Sequence, residues 1–169
     1  METIFAPWRG EYINGIGNHA KNPDNPQECV FCSAIKATDD FERYIIYRGI
    51  NAFVILNLYP YNNGHMLIIP YNHVSDLSQL NTETHHEMMD LIVKAQKVLQ
   101  DVYHPHGMNI GANIGTAAGA GIDQHLHFHI LPRWTADVNF MTTIGQTRVI
   151  PEKLDETWKK IRASWQKID

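Results

Sequence analysis

Residues 125–131 read His125-Leu126-His127-Phe128-His129-Ile130-Leu131, three histidines alternating with apolar residues. Successive side chains of a β-strand point to opposite faces. A strand over 125–132 therefore sets His125, His127 and His129 on one face and Leu126, Phe128 and Ile130 on the other. The apolar set suits a core, and the imidazoles then line a surface. Four residues of strand span roughly 13–14 Å, whereas Zn–N bonds are about 2.0–2.1 Å long, so the three rings cannot all converge on one metal, although two can.

The segment just before this strand is Gly115-Thr-Ala-Ala-Gly119-Ala120-Gly121. Small residues let backbone N–H groups approach a ligand, and runs of such donors form anion-binding nests. A flexible turn between two strands uses the same residues, and by itself the loop leaves both readings open. Joined directly to a His-lined strand, it reads as a phosphate cradle facing a nucleophile. An imidazole attacks phosphorus when its far nitrogen is held by a hydrogen-bond acceptor. The product is a phosphoramidate that a second nucleophile must break. His127, flanked by two imidazoles able to donate to phosphate oxygens, is the natural attacker.

Working outward, Tyr44–Arg48, Phe53–Asn57 and Met66–Ile69 are β-branched and aromatic runs separated by turn formers, and predict three strands. Met88, Leu91, Ile92, Ala95, Val98, Leu99 and Val102 recur at three- and four-residue steps, predicting one long helix over 81–103 with a capping box of Thr84 and Glu87. Met108–Asn113 predicts a strand. The tail from Pro151, a natural first helical position, carries Leu154, Trp158, Ile161 and Trp165 on one helical face. Residues 1–28, rich in Asn, Gly and Pro, read as an extended arm, and residues 29–169 as one domain. The order of elements predicts an α+β fold, with a mainly antiparallel sheet, one long helix packed on it and a C-terminal helix.

The 169 residues carry 14 Lys+Arg against 18 Asp+Glu, a formal charge of −4. Nucleic-acid backbones are bound by an excess of basic charge, so no nucleic-acid partner is expected. No apolar stretch is long enough for a signal peptide or a membrane span, so no membrane association is expected. The two cysteines, Cys29 and Cys32, are too few for a disulfide framework. They point to a reducing, cytoplasmic setting and read as metal ligands, a redox couple or a packed reduced pair. Trp134 and Tyr59 offer flat faces on which adenine could stack, or serve as core residues.

The His125–Leu131 pattern resembles the signature of the histidine-triad (HIT) family of nucleotide hydrolases and transferases, supported by Phe53–Asn57 and Gly64-His65-Met66-Leu67 ahead of it. The resemblance implies an α+β HIT-like fold, a homodimer, no organic cofactor, and cleavage of nucleoside phosphates at the α-phosphorus. By position it makes His127 the nucleophile, His129 and His125 phosphate-binding and orienting residues, and His65 a supporting histidine. Asn57 meets the ribose. Asn57, Asn113, Gly119, Ala120, Gly121, His129 and Trp134 then form the expected nucleotide- and phosphate-binding set.

Within the family the flanks are most similar to the bacterial diadenosine tetraphosphate phosphorylases. The matching pieces are Ala6-Pro7-Trp8-Arg9, the loop Asn113–Gly121, Pro132-Arg133-Trp134, Asn139-Phe140-Met141 and Gly145-Gln146-Thr147. Phosphorylases use inorganic phosphate to resolve the intermediate, giving ATP and ADP. The loop lacks the glutamine of the triphosphate hydrolases, and His129 stands where uridylyltransferases have glutamine. Family members that bind zinc complete Cys29 and Cys32 with residues matching His73 and His125, a closed Cys2His2 set for a structural zinc. The alternatives are a dinucleoside polyphosphate hydrolase, a phosphoramidase, or a zinc-stabilised nucleotide-binding module without catalysis.

Overall fold

The computed structural model describes residues 21–22, 25–137, 144 and 150–168. The Ala6–Arg9, Asn139–Met141 and Gly145–Thr147 matches lie outside the described residues. A two-stranded antiparallel ribbon, β1 (Lys21–Asn22) and β2 (Asn25–Cys29), replaces the end of the expected irregular arm and runs into a five-residue helix α1 (Val30–Ala34). The main sheet follows: β3 (Ile45–Arg48), β4 (Ala52–Leu56), β5 (Met66–Pro70), β6 (Gly107–Ala112) and β7 (Phe128–Arg133). All its pairings are antiparallel, in the order β3-β4-β5-β7-β6. Among the described residues two longer helices, α2 (Thr82–Tyr103) and α3 (Leu154–Trp165), accompany the sheet in an α+β fold.

Every residue of β4 and β5 is buried, because both faces of the sheet are covered. Ala52, Val54, Leu56, Met66 and Ile68 pack with Met88, Leu91, Ile92, Ala95 and Leu99 of α2 and with Ile161 and Trp165 of α3. Phe53, Ile55, Leu67 and Ile69, alternating with them, pack with Phe31 and Ala34 of α1. An antiparallel sheet open to water on one face alternates apolar and polar residues; one covered on both reads as uninterrupted apolar runs. AFVIL and MLIIP are such runs.

The two sheet edges differ. On the β3 edge, α3 supplies donors to strand carbonyls: Trp158 Nε1 donates to Ile45 O at 2.9 Å and Arg162 donates to Ile46 O. Among the described residues nothing pairs with the outer edge of β6.

Two local expectations are corrected. Helix α2 is capped by Asn81, whose side chain accepts from Thr84 N at 2.8 Å, rather than by a Thr84/Glu87 box. Glu87 instead accepts from Ile50 N, Asn51 N and Asn51 Nδ2 at 2.6–2.8 Å, satisfying the β3–β4 turn. Helix α3 begins at Leu154 after Lys153, so Pro151 precedes it by three residues.

Candidate active site and metal centre

The sheet pairing of the triad segment begins only at Phe128, so His125 and His127 precede β7 as irregular chain and His129 lies within it. The alternation nevertheless holds. Leu126, Phe128 and Ile130 face α2. The three imidazoles share the opposite face, since Phe31 of α1 touches the rings of both His125 and His127, and His127 and His129 lie 4.9 Å apart. That face is not an open surface as the alternation alone suggests. His125 is 0% and His127 6% exposed, because α1 lies over them. His129 is half-buried.

Each imidazole has its tautomer set by a group that can play only one part. A carbonyl oxygen only accepts, so His127 Nδ1–H donates to His125 O at 2.8 Å, and Nε2 keeps its lone pair. Likewise His125 Nε2–H donates to Pro70 O at 2.9 Å, turning its Nδ1 lone pair toward the cysteines. Tyr61 N–H only donates and points at His65 Nδ1 at 3.1 Å, so His65 carries its proton on Nε2. That proton is donated to His129 Nδ1 at 2.9 Å, which leaves His129 to present Nε2–H. Asn57 Nδ2 adds a second donor to His65 Nδ1 at 3.3 Å while its Oδ1 accepts from Tyr59 N at 3.0 Å.

Burial is the main cause holding these histidines neutral. It lowers His65 to about 3 and His129 and His125 to about 4, helped by neighbouring imidazoles, and it lowers His127 as well. His65 reaches the cluster because Met66 pairs with Ile130 and Leu67 with His129, which makes His65 a diagonal neighbour of His129. Gly64 makes the turn possible. Its φ is +76°, and a Cβ there would stand 2.7 Å from Tyr103 Cε2 and 2.9 Å from Leu99 Cδ2.

On the β6 side the histidine face opens. Gly111 pairs with His129, and a Cβ built on it, or on Gly115 or Gly119 of the loop, meets nothing within 4 Å. The loop holds one 3₁₀ turn, Thr116–Ala118, with Gly115 and Gly119 at φ +80° and +85°. Asn113, Ala120 and Gly121 are half-buried and Gly119 is exposed. Trp134 is not brought to the histidines: its ring packs edge-on against Tyr103 of α2 at 6.3 Å.

The metal-ligating atoms of Cys29, Cys32, His73 and His125 all lie within 4.8 Å of one another. Cys32 Sγ is 3.2 Å from His73 Nδ1 and 3.7 Å from His125 Nδ1, and Cys29 Sγ is 3.4 Å from His125 Nδ1. A tetrahedral ion with bonds of about 2.3 Å to sulfur and 2.0–2.1 Å to nitrogen sets such atoms roughly 3.5–3.8 Å apart. The bond from His125 Nε2–H to Pro70 O is the outer-shell contact that orients a ligating imidazole. Without an ion, burial and the adjacent Cys29 push the Cys32 thiol up to about 11. A bound cation would reverse that, since coordination deprotonates a thiol. The four residues therefore fit a metal ion.

The family profile described as HIT domain matches residues 39–136. The chain is also 36% identical to the AP-4-A phosphorylase of Mycobacterium tuberculosis (strain H37Rv), over 98% of this chain and 85% of that protein. This chain belongs to the HIT family. Its fold matches the crystal structure of a Zn-bound histidine triad family protein from Mycobacterium smegmatis with a TM-score of 0.68 and 29% identity, covering 83% of this chain and 94% of the other. A crystal structure described as a hypothetical histidine triad nucleotide-binding protein from Sulfolobus tokodaii matches at 0.67 and 30%, covering 82% of this chain and 93% of the other.

Two contacts of this HIT chain escape a reading of its sequence. Tyr61 supplies the N–H that orients His65, and its ring stacks on His129 at 5.9 Å and 17°. Phe31 lies against the two leading triad histidines. Tyr61 sits in a run of turn formers and Phe31 between two cysteines, where each side chain reads as incidental.

Proposed function

We propose that this protein is a dinucleoside polyphosphate phosphorylase that converts diadenosine tetraphosphate and inorganic phosphate into ATP and ADP. The observation that carries this reading is the 2.8 Å bond from His127 Nδ1–H to His125 O. It leaves Nε2 of a buried, neutral imidazole as a lone pair. In the first step that lone pair attacks the α-phosphorus. A P–N bond forms, the α–β phosphoanhydride bond breaks, and ATP departs. His129 Nε2–H, whose direction follows from His65 and Tyr61, donates to a phosphate oxygen. In the second step an oxygen of inorganic phosphate attacks the same phosphorus, the P–N bond breaks, ADP forms, and the imidazole is neutral again.

The choice of phosphate over water as second nucleophile is supported by the 36% identity to the mycobacterial AP-4-A phosphorylase along nearly the whole chain. Gly119, Ala120 and Gly121 would hold phosphate oxygens, with Asn57 and Asn113 toward the ribose. The Cys29/Cys32/His73/His125 centre would hold zinc, closing the N-terminal segment onto the triad. Zinc there would be structural, since four protein ligands leave no open position. Two cysteines committed to a metal fit a reducing, cytoplasmic setting.

The active form would be a homodimer. Leu77, Met89 and Val93 are exposed on the α2 side, Ile110 is exposed on β6, and among the described residues no strand pairs with the outer edge of β6. An apolar hollow on the same side is lined by Leu77, His85, Met88, Met89, Ile92 and Phe128, facing away from the triad. A second copy related by two-fold symmetry would cover both.

Incubation with diadenosine tetraphosphate and ³²P-phosphate tests the reaction. Equal ATP and ADP, with label in the β-phosphate of ADP and none formed without phosphate, is the expected result. AMP and ATP released in the absence of phosphate would instead establish the hydrolase alternative. No turnover with tight nucleotide binding would favour a binding module.

A further inference from the structure

Helix α1 has five residues, too short to hold its shape alone. Its place comes from what it carries. Cys29 precedes it and Cys32 lies within it, and the sulfurs of both face His125 Nδ1. Between them, Phe31 is 6% exposed and packs with Phe53, Ile55 and Leu67. Its ring meets the His125 ring edge-on at 5.5 Å and 89°, and lies 5.1 Å from the His127 ring at 59°. Among the described aromatic rings, His129 also lies beside the His127 ring, at 4.9 Å.

The bond to His125 O fixes where the His127 proton resides, but a single hydrogen bond does not lock a terminal imidazole torsion, whose energy well is broad. Rigid packing around the ring does. On one side that packing is Phe31, and Phe31 is held by the same cysteines that share a metal centre with His125. The carbonyl that accepts the His127 proton also belongs to His125. The backbone of one metal ligand and the side chain between two others thus converge on a single ring.

We propose that Phe31 is a positioning residue for His127, through which occupancy of the Cys29/Cys32/His73/His125 centre sets the orientation of the attacking imidazole. This rests on the reading of His127 as nucleophile. It departs from a purely structural centre, because metal then acts on the chemical step and not only on stability.

The test uses the full chain, loaded with one equivalent of zinc or stripped by chelator, as wild type, Phe31→Leu and Phe31→Ala. Imidazole ¹⁵N–¹H spectra report the His127 proton position without substrate. The zinc-loaded wild type should show one tautomer protonated at Nδ1. Stripping the metal, or Phe31→Ala with zinc still bound, should give exchange-averaged tautomers. In the phosphorolysis assay, kcat per zinc-loaded folded molecule should fall about tenfold or more in Phe31→Ala, with KM within about twofold and Phe31→Leu intermediate. A His127 signal indifferent to zinc in the wild type overturns the proposal, and that arm needs no variant to fold. An unchanged kcat in zinc-loaded Phe31→Leu and Phe31→Ala does so too. Should phosphorolysis be absent while the His127 signal still follows zinc and Phe31, the functional reading fails and the coupling stands.

Discussion

His65 Nε2 lies 2.9 Å from His129 Nδ1, and the backbone N–H of Tyr61 sits 3.1 Å from the far nitrogen of His65. Because that N–H only donates, the proton order along the whole chain is determined, ending with Nε2–H of His129 available to a ligand. His65→Ala removes the donor that fixes His129. The expected result is a fall in kcat of about 10–100-fold with little change in KM, as for loss of an orienting contact felt in the transition state. Steady-state kinetics check it; a rise in KM alone would mean that His65 serves binding.

The same pair makes stability depend on pH. Folding lowers His65 to about 3 and His129 to about 4, whereas an unfolded histidine titrates near 6.5. Between those values the unfolded chain binds more protons, so stability is full above about pH 6.5 and declines as pH falls through this window. Each such group removes on the order of 1 kcal/mol per pH unit. Denaturant unfolding at pH 7.5, 6 and 5 should show a shallower decline in His65→Asn than in wild type. Parallel curves would contradict the burial of a neutral His65.

Zinc removal should lower the melting temperature. A ligand bound only by the folded state and present at about a thousand times its dissociation constant adds ~4 kcal/mol, roughly 10 °C for a chain of this size. Cys32→Ser should show the lower value with or without added zinc. Equal melting temperatures for loaded and chelator-treated wild type would argue against a metal at this cluster.

Glu87→Ala separates stability from chemistry. Its carboxylate satisfies two backbone amides and one side-chain amide of the β3–β4 turn. Ile50 is exposed and Asn51 half-buried, so water can reach some of these donors, and losing the carboxylate costs ~0.5–1.5 kcal/mol. The unfolding midpoint should drop accordingly while kcat stays within about twofold of wild type, since the residue touches none of the site histidines. An unshifted midpoint would mean that water replaces the carboxylate without penalty.

What a sequence discloses here follows the range of the interactions. The triad face was legible because a period of two, written in His and apolar residues, survives in the irregular approach of His125 and His127 to β7 as well as in the strand itself. The stripe from Met88 to Val102 was legible for the same reason at a period of 3.6, and all its members are buried except Val102, which is half-buried. The cover over the triad was not, since α1 is too short to have a period and its position depends on partners about 95 residues away. The α2 cap shows one local start signal losing to another: Asn81 caps the helix three residues before Thr84, which leaves Glu87 in the sixth helical position, where the amides of residues 50 and 51 take its carboxylate. Pairing Cys29 and Cys32 with His73 and His125 came from family likeness and not from spacing, and the geometry brings those four together.

The most direct measurement is intact-protein mass spectrometry and peptide mapping after rapid mixing with diadenosine tetraphosphate in phosphate-free buffer. One adenylyl group on His127, discharged as ADP when phosphate is added, is the expected outcome. Adenylylation elsewhere, or turnover that persists in His127→Ala, would contradict the assignment of this imidazole as the attacking group.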